Sequence, residues 1–124
     1  MNLVDSCGWL AYFANDANAD FFAPAIESPE TMVVPTLCLF EVFKRVLQQR
    51  NESDALRAVA LMRRSHCITL DDHVALSAAR LSVDLKLAMA DSVILCTARQ
   101  HQAVLWTQDA HFAGIPGVQY IAKP

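Results

Sequence analysis

Four acidic residues follow or interrupt apolar segments of the sequence, at places where a folded chain could gather carboxylates. They are Asp5, Glu41, Asp91 and Asp109. Several carboxylates that converge without pairs of Cys or His ligands suit a hard, oxygen-seeking cation such as Mg²⁺ or Mn²⁺ rather than zinc. A cation held in this way activates water and stabilises the leaving oxygen of a phosphate ester. The pattern therefore predicts metal-dependent hydrolysis of a phosphate ester.

Asp91 is the most informative of the four acids. On a helix it shares a face with apolar residues, namely Leu87, Ala88, Ile94, Leu95 and Ala98. A carboxylate turned toward a core is costly unless it is hydrogen-bonded, paired or coordinated to a metal. The alternative is that Asp91 caps the start of a helix by accepting hydrogen bonds from first-turn amides.

The other three acids each have a simpler explanation. Helical projection places Glu41 beside Lys44 and Arg45, which favours a solvated surface position when Glu41 is considered alone. The opposite, apolar face of that helix carries Leu39, Phe40, Phe43, Val46 and Leu47. Asp5 and Asp109 could cap helices or form turns. The functional hypothesis rests on the coincidence of all four acids at one place.

The elements that must position these acids follow from the hydrophobic pattern. Short apolar runs without alternation predict strands covered on both faces, near residues 3–4, 32–34, 67–70, 103–106 and 118–121. Helical patterns alternate with them, near residues 8–14, 17–27, 36–50, 53–64, 72–86 and 91–100. This order predicts an α/β fold, a three-layer α/β/α sandwich with a central parallel sheet of four to five strands. Ligands bind such sheets at the carboxyl ends of the strands, so Asp5 and Asp109 should face one crevice.

Bulk composition narrows the class of protein. With 124 residues, 54% of them hydrophobic and 19% charged, the chain is expected to form a single globular domain over residues 1–124. No apolar run predicts a membrane span, and the first residues lack a signal-peptide pattern, so a cytoplasmic location is expected. The net charge of -3 argues against general adhesion to nucleic acid. Any contact with nucleic acid must therefore be local.

The four cysteines are widely spaced and form no C-x-x-C pair, which excludes a zinc knuckle and a thioredoxin-like motif. They are Cys7, Cys38, Cys67 and Cys96. We expect all four to be buried thiols of a protein in a reducing compartment.

Four segments in this order resemble the acidic motifs of PIN domains, and in particular those of VapC-type toxins of bacterial toxin-antitoxin pairs. They are Asn2-Leu3-Val4-Asp5-Ser6, Leu39-Phe40-Glu41-Val42, Ala90-Asp91-Ser92-Val93-Ile94 and Thr107-Gln108-Asp109-Ala110-His111-Phe112. The resemblance extends from about Met1 to Ile121. The sequence departs from it at Ser92, where many relatives have Ala, and over residues 84–89, which lack the common Gly and Pro. These departures leave the subfamily and the target RNA open.

The resemblance implies a PIN-like fold and an endoribonuclease dependent on Mg²⁺ or Mn²⁺, the toxin of a type II toxin-antitoxin system. It implies catalytic roles for the four acids, metal ligation by Asp5, Asp91 and Asp109, and a supporting hydroxyl at Thr107. It further implies an RNA substrate, a cognate antitoxin and a homodimer. The early helices carry many large apolar residues that could form either core or a partner-binding groove, namely Trp9, Leu10, Tyr12, Phe13, Phe21, Phe22, Phe40 and Phe43.

Several alternatives stay open at this point. Asp72 is interpreted as a helix cap rather than a metal ligand, and His111 as a turn residue rather than a ligand. An aspartyl-phosphate phosphotransfer or phosphatase domain would also gather acids at a sheet edge, but the first motif lacks a second Asp two residues after Asp5. A catalytically silent PIN-like binding module is the non-enzymatic alternative.

Overall fold

The computed structural model describes all residues, Met1–Pro124, as five short strands alternating with six α-helices. The strands are β1 (Asn2–Val4), β2 (Val33–Pro35), β3 (His66–Ile68), β4 (Val104–Thr107) and β5 (Val118–Tyr120). The helices are α1 (Ser6–Ala14), α2 (Ala19–Ile26), α3 (Thr36–Gln49), α4 (Glu52–Met62), α5 (Asp72–Leu85) and α6 (Met89–Gln100). Short 3₁₀ helices occupy Pro29–Thr31 and Ala110–Phe112. The predicted elements are confirmed to within a few residues.

All strands run parallel, but they do not form the continuous sheet of four to five strands that the sequence predicted. The main sheet has three strands in the order β1-β4-β5, and β2 pairs with β3 in a second sheet of two. A single parallel bridge between Asn2 and Met32 joins the two. The two sheets share no other backbone pairing. The predicted α/β class with parallel strands is confirmed.

The core confirms that the central strands are covered on both faces. Leu3 and Val4 of β1 and all three residues of β2 are buried. They belong to a core of 19 buried residues whose largest side chains include Trp9, Phe22 and Phe112. The outer strand β3 is mostly exposed. The prediction of four buried thiols is therefore wrong for Cys67, which lies exposed on this strand, and Cys7 is only partly buried.

A close approach between α1 and β1 sets the direction of the chain after the first strand. A Cβ atom at Gly8 would lie 2.6 Å from Val4 Cγ1 and 2.7 Å from the Phe22 ring. Val4 and Phe22 are fully buried and have no room to move away. Glycine therefore allows α1 to start directly over the sheet, one residue after Asp5.

Side chains cap the starts of α4 and α5, and the cap of α5 lies one residue before the predicted Asp72. The side chain of Asp71, not Asp72, caps α5 by accepting a hydrogen bond from Val74 N–H. Asn51 caps α4 in the same way by accepting from Asp54 N–H. None of the helices combines the length and the apolar character needed to cross a lipid bilayer.

Candidate active site

Asp5 is a buried carboxylate at the carboxyl end of β1, with a relative exposure of 5%. Its backbone N–H donates to the carbonyl of Trp106 at 3.0 Å, which anchors it to β4. Its side-chain oxygens accept hydrogen bonds from Ser6 N–H at 2.7 Å, the Thr107 hydroxyl at 2.8 Å and the Cys7 thiol at 3.3 Å. Three donors thus hold this carboxylate in one orientation.

Thr107 connects the ends of the two neighbouring strands β1 and β4. Its side chain is completely buried. While its hydroxyl donates to Asp5, the same oxygen accepts from Asp109 N–H at 2.9 Å. The parallel register brings Asp5 and Asp109 to the same sheet edge, as the sequence predicted, and Thr107 links them there.

Glu41 is directed toward this edge by Ser6. The Ser6 hydroxyl donates to Glu41 Oε1 at 2.6 Å, across 35 positions of sequence. Since the Ser6 N–H also bonds Asp5, this one residue positions a carboxylate from β1 and another from α3. Glu41 is partly buried, so the solvated surface position favoured for it alone is wrong. The sequence offered no local signal of this contact.

Asp91 lies in the first turn of α6, which is buried from Ser92 to Ala98. The helix begins at Met89, and the capping position is Ala88, which makes no side-chain bond. The interpretation of Asp91 as the N-cap is therefore wrong. Its side chain is 15% exposed and points toward Asp109 and His111 rather than into bulk solvent.

His111 joins the acids in a way that the sequence did not predict. Its Nδ1 lies 3.1 Å from Asp109 Oδ1 and 3.4 Å from Asp91 Oδ2. It does sit in a turn, because Asp109 caps the following 3₁₀ helix by accepting from His111 N–H at 2.9 Å. That turn places the ring between two carboxylates. The spacing Asp109-x-His111 was the available signal, but it did not show that Asp91 would be the third member.

The four acids act as one electrostatic group. Burial is the largest cause that raises the pKa of Asp5 to about 6, against the lowering effect of its hydrogen bonds, and the charge of Asp91 adds to it. Burial also raises the pKa of Asp91, followed by the charge of Asp109, while His111 lowers it and Glu41 raises it. No lysine or arginine forms an ion pair with any of the four. Negative charge is therefore concentrated here, and the His111 imidazole is the only basic group in contact with it.

This donor set is suited to a divalent cation. Ligand atoms of Asp91, Asp109 and His111 lie within 4.8 Å of one another. Asp5, predicted as a metal ligand, is outside that group, and its oxygens are occupied by three hydrogen-bond donors. The carboxylate oxygens fit the preferences of Mg²⁺ and Mn²⁺, the imidazole is an additional nitrogen ligand, and a cation would relieve the repulsion among the acids. The geometry is therefore suited to holding a divalent cation.

Without metal, the stability of the chain should fall as pH rises from about 4 to about 6 because of Asp5. Its folded pKa of about 6 exceeds the ordinary 3.8, so the folded state holds a proton that the unfolded state releases in this window. A tenfold change in proton affinity is worth about 1.4 kcal/mol, so ionisation of Asp5 should lower the free energy of unfolding by up to about 3 kcal/mol. Asp5→Asn removes this dependence, since Asn keeps an acceptor for Thr107 but does not titrate.

Urea unfolding of both proteins in chelator, at several pH values between 4 and 7, measures the difference. The variant should gain stability relative to the native chain as pH rises. Parallel curves for the two proteins would contradict the assignment of a raised pKa to Asp5. Asp91 also has a raised pKa, but it is present in both proteins. The difference between the two stability curves therefore reports Asp5 alone.

Solved structures with the same fold include several toxin proteins. A chain of a toxin-antitoxin complex from Klebsiella pneumoniae is 26% identical, with a TM-score of 0.80 and 96% of each chain covered. VapC20 of Mycobacterium tuberculosis, described as a toxin that cleaves the sarcin-ricin loop, is 15% identical, with a TM-score of 0.77 and 94% of this chain and 95% of that chain covered. DNA-bound VapBC of Salmonella typhimurium is 16% identical, with a TM-score of 0.73 and 98% of each chain covered.

No curated protein sequence matches the chain. The PIN domain family profile, in contrast, matches residues 3–118, a range that includes all four acids, Thr107 and His111. A match of this length does not fit the aspartyl-phosphate alternative. Together with the parallel strand arrangement, it shows that this chain belongs to the PIN domain family.

Proposed function

We propose that the chain is an endoribonuclease dependent on Mg²⁺ or Mn²⁺, and that it is the toxin of a type II toxin-antitoxin pair acting in the cytoplasm. The observation that carries the proposal is the convergence of Asp5, Glu41, Asp91 and Asp109 at one sheet edge without a lysine or arginine counter-ion. Family membership and the toxin-antitoxin relative at 26% identity support the toxin role. The VapC20 description supports RNA as the substrate class.

Each residue of the site would have a distinct role in the reaction. Asp91, Asp109 and His111 would hold the metal, and Asp5, predicted as a third acidic ligand, would add negative charge behind them. A bound metal would supply an activated water and charge stabilisation at the cleaved phosphodiester. Glu41, held by the Ser6 hydroxyl, would accept the proton of the attacking water. Thr107 and Ser6 keep the carboxylates in fixed orientations, which lowers the reorganisation that the reaction requires.

An apolar groove offers a place for the antitoxin. It lies between α1, α3 and α4 and has a volume of about 950 Å³. Its lining is Leu10, Phe13, Ala14, Val46, Gln49, Arg50, Asp54, Arg57, Ala58, Ala60, Leu61 and Arg64. Seven of these are hydrophobic, and the charged ones are three arginines and one aspartate, so the groove has a net positive charge. The groove therefore suits an amphipathic helix with an apolar face and acidic flanks.

The large apolar residues of the early helices divide between core and surface. Trp9 and Phe22 are fully buried, so they are core. Leu10 and Phe13 line the groove, where they remain available to a partner. A homodimer is the second proposed assembly. Its proposed surface is the outer face of α5, where Leu76 is 74% exposed and Val83 is 78% exposed.

Incubation with a mixed RNA pool, in Mg²⁺, in Mn²⁺ and in chelator, tests the activity. We expect cutting only with metal. We also expect metal to raise the melting temperature in the absence of RNA, because a ligand at 100 times its Kd adds about 2.7 kcal/mol to the native state. A melting temperature unchanged by millimolar metal would argue against the metal site. Binding of metal without cutting of any RNA would favour the catalytically silent PIN-like module.

A further inference from the structure

Asn18 is a buried polar residue at the start of α2, with a relative exposure of 6%. Asparagine is favoured at such a position because its side-chain oxygen can accept from the first amides of the helix, but Asn18 makes no such bond. Its amide group instead donates to Gln108 Oε1 at 2.9 Å and to the carbonyl of Ala122 at 3.0 Å. Since these partners are 90 and 104 positions away, the buried amide joins distant segments of the chain.

Gln108 lies between two residues of the acidic site. It directly follows Thr107, whose hydroxyl holds Asp5, and it directly precedes Asp109. The peptide group that joins Gln108 to Asp109 donates its N–H to the same hydroxyl at 2.9 Å. Because Asn18 holds the side chain of Gln108, this residue is fixed both at its side chain and at the peptide that follows it. Asn18 thereby restrains the chain where the loop that carries Asp109 begins.

The segment after β5 belongs to the same network. Ile121 N–H donates to the Thr107 carbonyl at 3.0 Å, and the carbonyl of the next residue, Ala122, accepts from Asn18. Asn18 therefore joins three parts of the chain, which are the connection between α1 and α2, the loop after β4 and the segment after β5.

The loop after β4 supplies two of the three groups suited to a cation, and α6 supplies the third. Nδ1 of His111 lies 3.1 Å from Asp109 Oδ1 and 3.4 Å from Asp91 Oδ2. Asp91 belongs to a helix that is buried over most of its length, so its place does not depend on the loop. A Mg²⁺ ion requires oxygen ligands at about 2.0–2.1 Å in near-ideal geometry. A small displacement of the loop would therefore separate two ligand groups from the third.

We propose that Asn18 is a positioning residue for this metal-binding loop. Through Gln108 it keeps the ligand groups of the loop at the distance from Asp91 at which one cation can bind all three. The inference rests on the proposed function and adds to it a residue that touches neither metal nor RNA. When the Asn18 amide is removed, the cation itself must order the loop, and this cost weakens metal binding.

Titration of the whole chain with Mn²⁺ alone, followed by the electron paramagnetic resonance signal of the free ion, measures this binding without RNA. Asn18→Leu keeps a similar side-chain volume and removes both donated bonds, so it should raise the Kd of Mn²⁺ about tenfold. Gln108→Met keeps the side-chain length and removes the acceptor, so it should weaken binding in the same direction. Because the two substitutions break one contact, the double variant should bind Mn²⁺ no more weakly than Asn18→Leu.

RNA cleavage at varied Mn²⁺ concentration separates positioning from chemistry. In Asn18→Leu the concentration for half-maximal cleavage should rise by the same factor as the Kd. The rate at saturating Mn²⁺ should stay within about twofold of the native rate, because the ligands and the acids are all retained.

The control for a general loss of stability is Asn51→Ala, which removes the cap of α4. It should lower the urea midpoint and leave the Kd of Mn²⁺ unchanged. An equal rise of the Kd in this control would overturn the positioning role, and so would an unchanged Kd in a folded Asn18→Leu. If Asn18→Leu does not fold, Gln108→Met decides, and native affinity in that variant overturns the role. A native chain that binds no Mn²⁺ overturns the proposed metal site as well.

Discussion

Asp91→Asn should lower the rate of metal-dependent RNA cleavage at least about a thousandfold, since a charged ligand of the reaction's metal is worth several kcal/mol and each 1.4 kcal/mol is tenfold in rate. The fold should survive the change. In the absence of metal the variant should be as stable as the native chain or more so. The reason is that the substitution removes a partly buried charge whose pKa is raised by burial and by Asp109.

Asp84→Asn is the matched control, because it makes the same chemical change at an exposed position near the end of α5. Cleavage rate and urea midpoint should be measured on the same preparation of each protein. Full activity in Asp91→Asn would contradict the proposed role. A loss of activity that parallels a loss of folding in chelator would mean that Asp91 serves structure rather than chemistry.

The helices and strands of this fold were predictable because the local pattern of apolar residues indicates which residues are buried. Leu3 and Val4 of β1 and all of β2 are apolar and buried. The place of Asp91 in the site was predictable for a related reason. A lone carboxylate on the apolar face of a helix is costly unless it has a hydrogen-bond partner, an ion pair or a metal. The division of the sheet was not predictable. It depends on a single bridge at Asn2, and hydrophobic periodicity does not specify how many hydrogen-bonded pairs two neighbouring strands make.

The parts of the site that the sequence missed are contacts between distant residues. Ser6 and Glu41 are 35 positions apart, and each alone resembles an ordinary surface residue. His111 gains its place from the convergence of α6 with the loop after β4, which no local spacing encodes. Phe40 was assigned to the apolar face of α3 by helical projection, but projection does not show where the packing surface of a helix ends.

A substitution in the groove between α1, α3 and α4, the proposed antitoxin site, should prevent the antitoxin from silencing the chain. Leu61 lines this groove and is partly exposed in it. Leu61→Glu would place a carboxylate under an apolar helix, where burial of its charge is costly, and it would compete with the acidic flanks of that helix for Arg57 and Arg64, each one helical turn away. We expect the affinity for the cognate antitoxin to fall at least about a hundredfold, since each 1.4 kcal/mol is a factor of ten. RNA cleavage by the free chain should be unchanged, because the groove contains none of the four acids.

Leu56→Glu is the control on the same helix, since Leu56 is 55% exposed and does not line the groove. Expression of the native chain alone should arrest growth, and co-expression with the small protein encoded beside it should relieve the arrest. With Leu61→Glu the arrest should persist despite the neighbour, whereas Leu56→Glu should be silenced like the native chain. Equal silencing of both variants would show that the antitoxin binds outside this groove. Harmless expression of a folded, RNA-cutting native chain would refute the toxin role itself, because an unrestrained ribonuclease of this kind should damage its host.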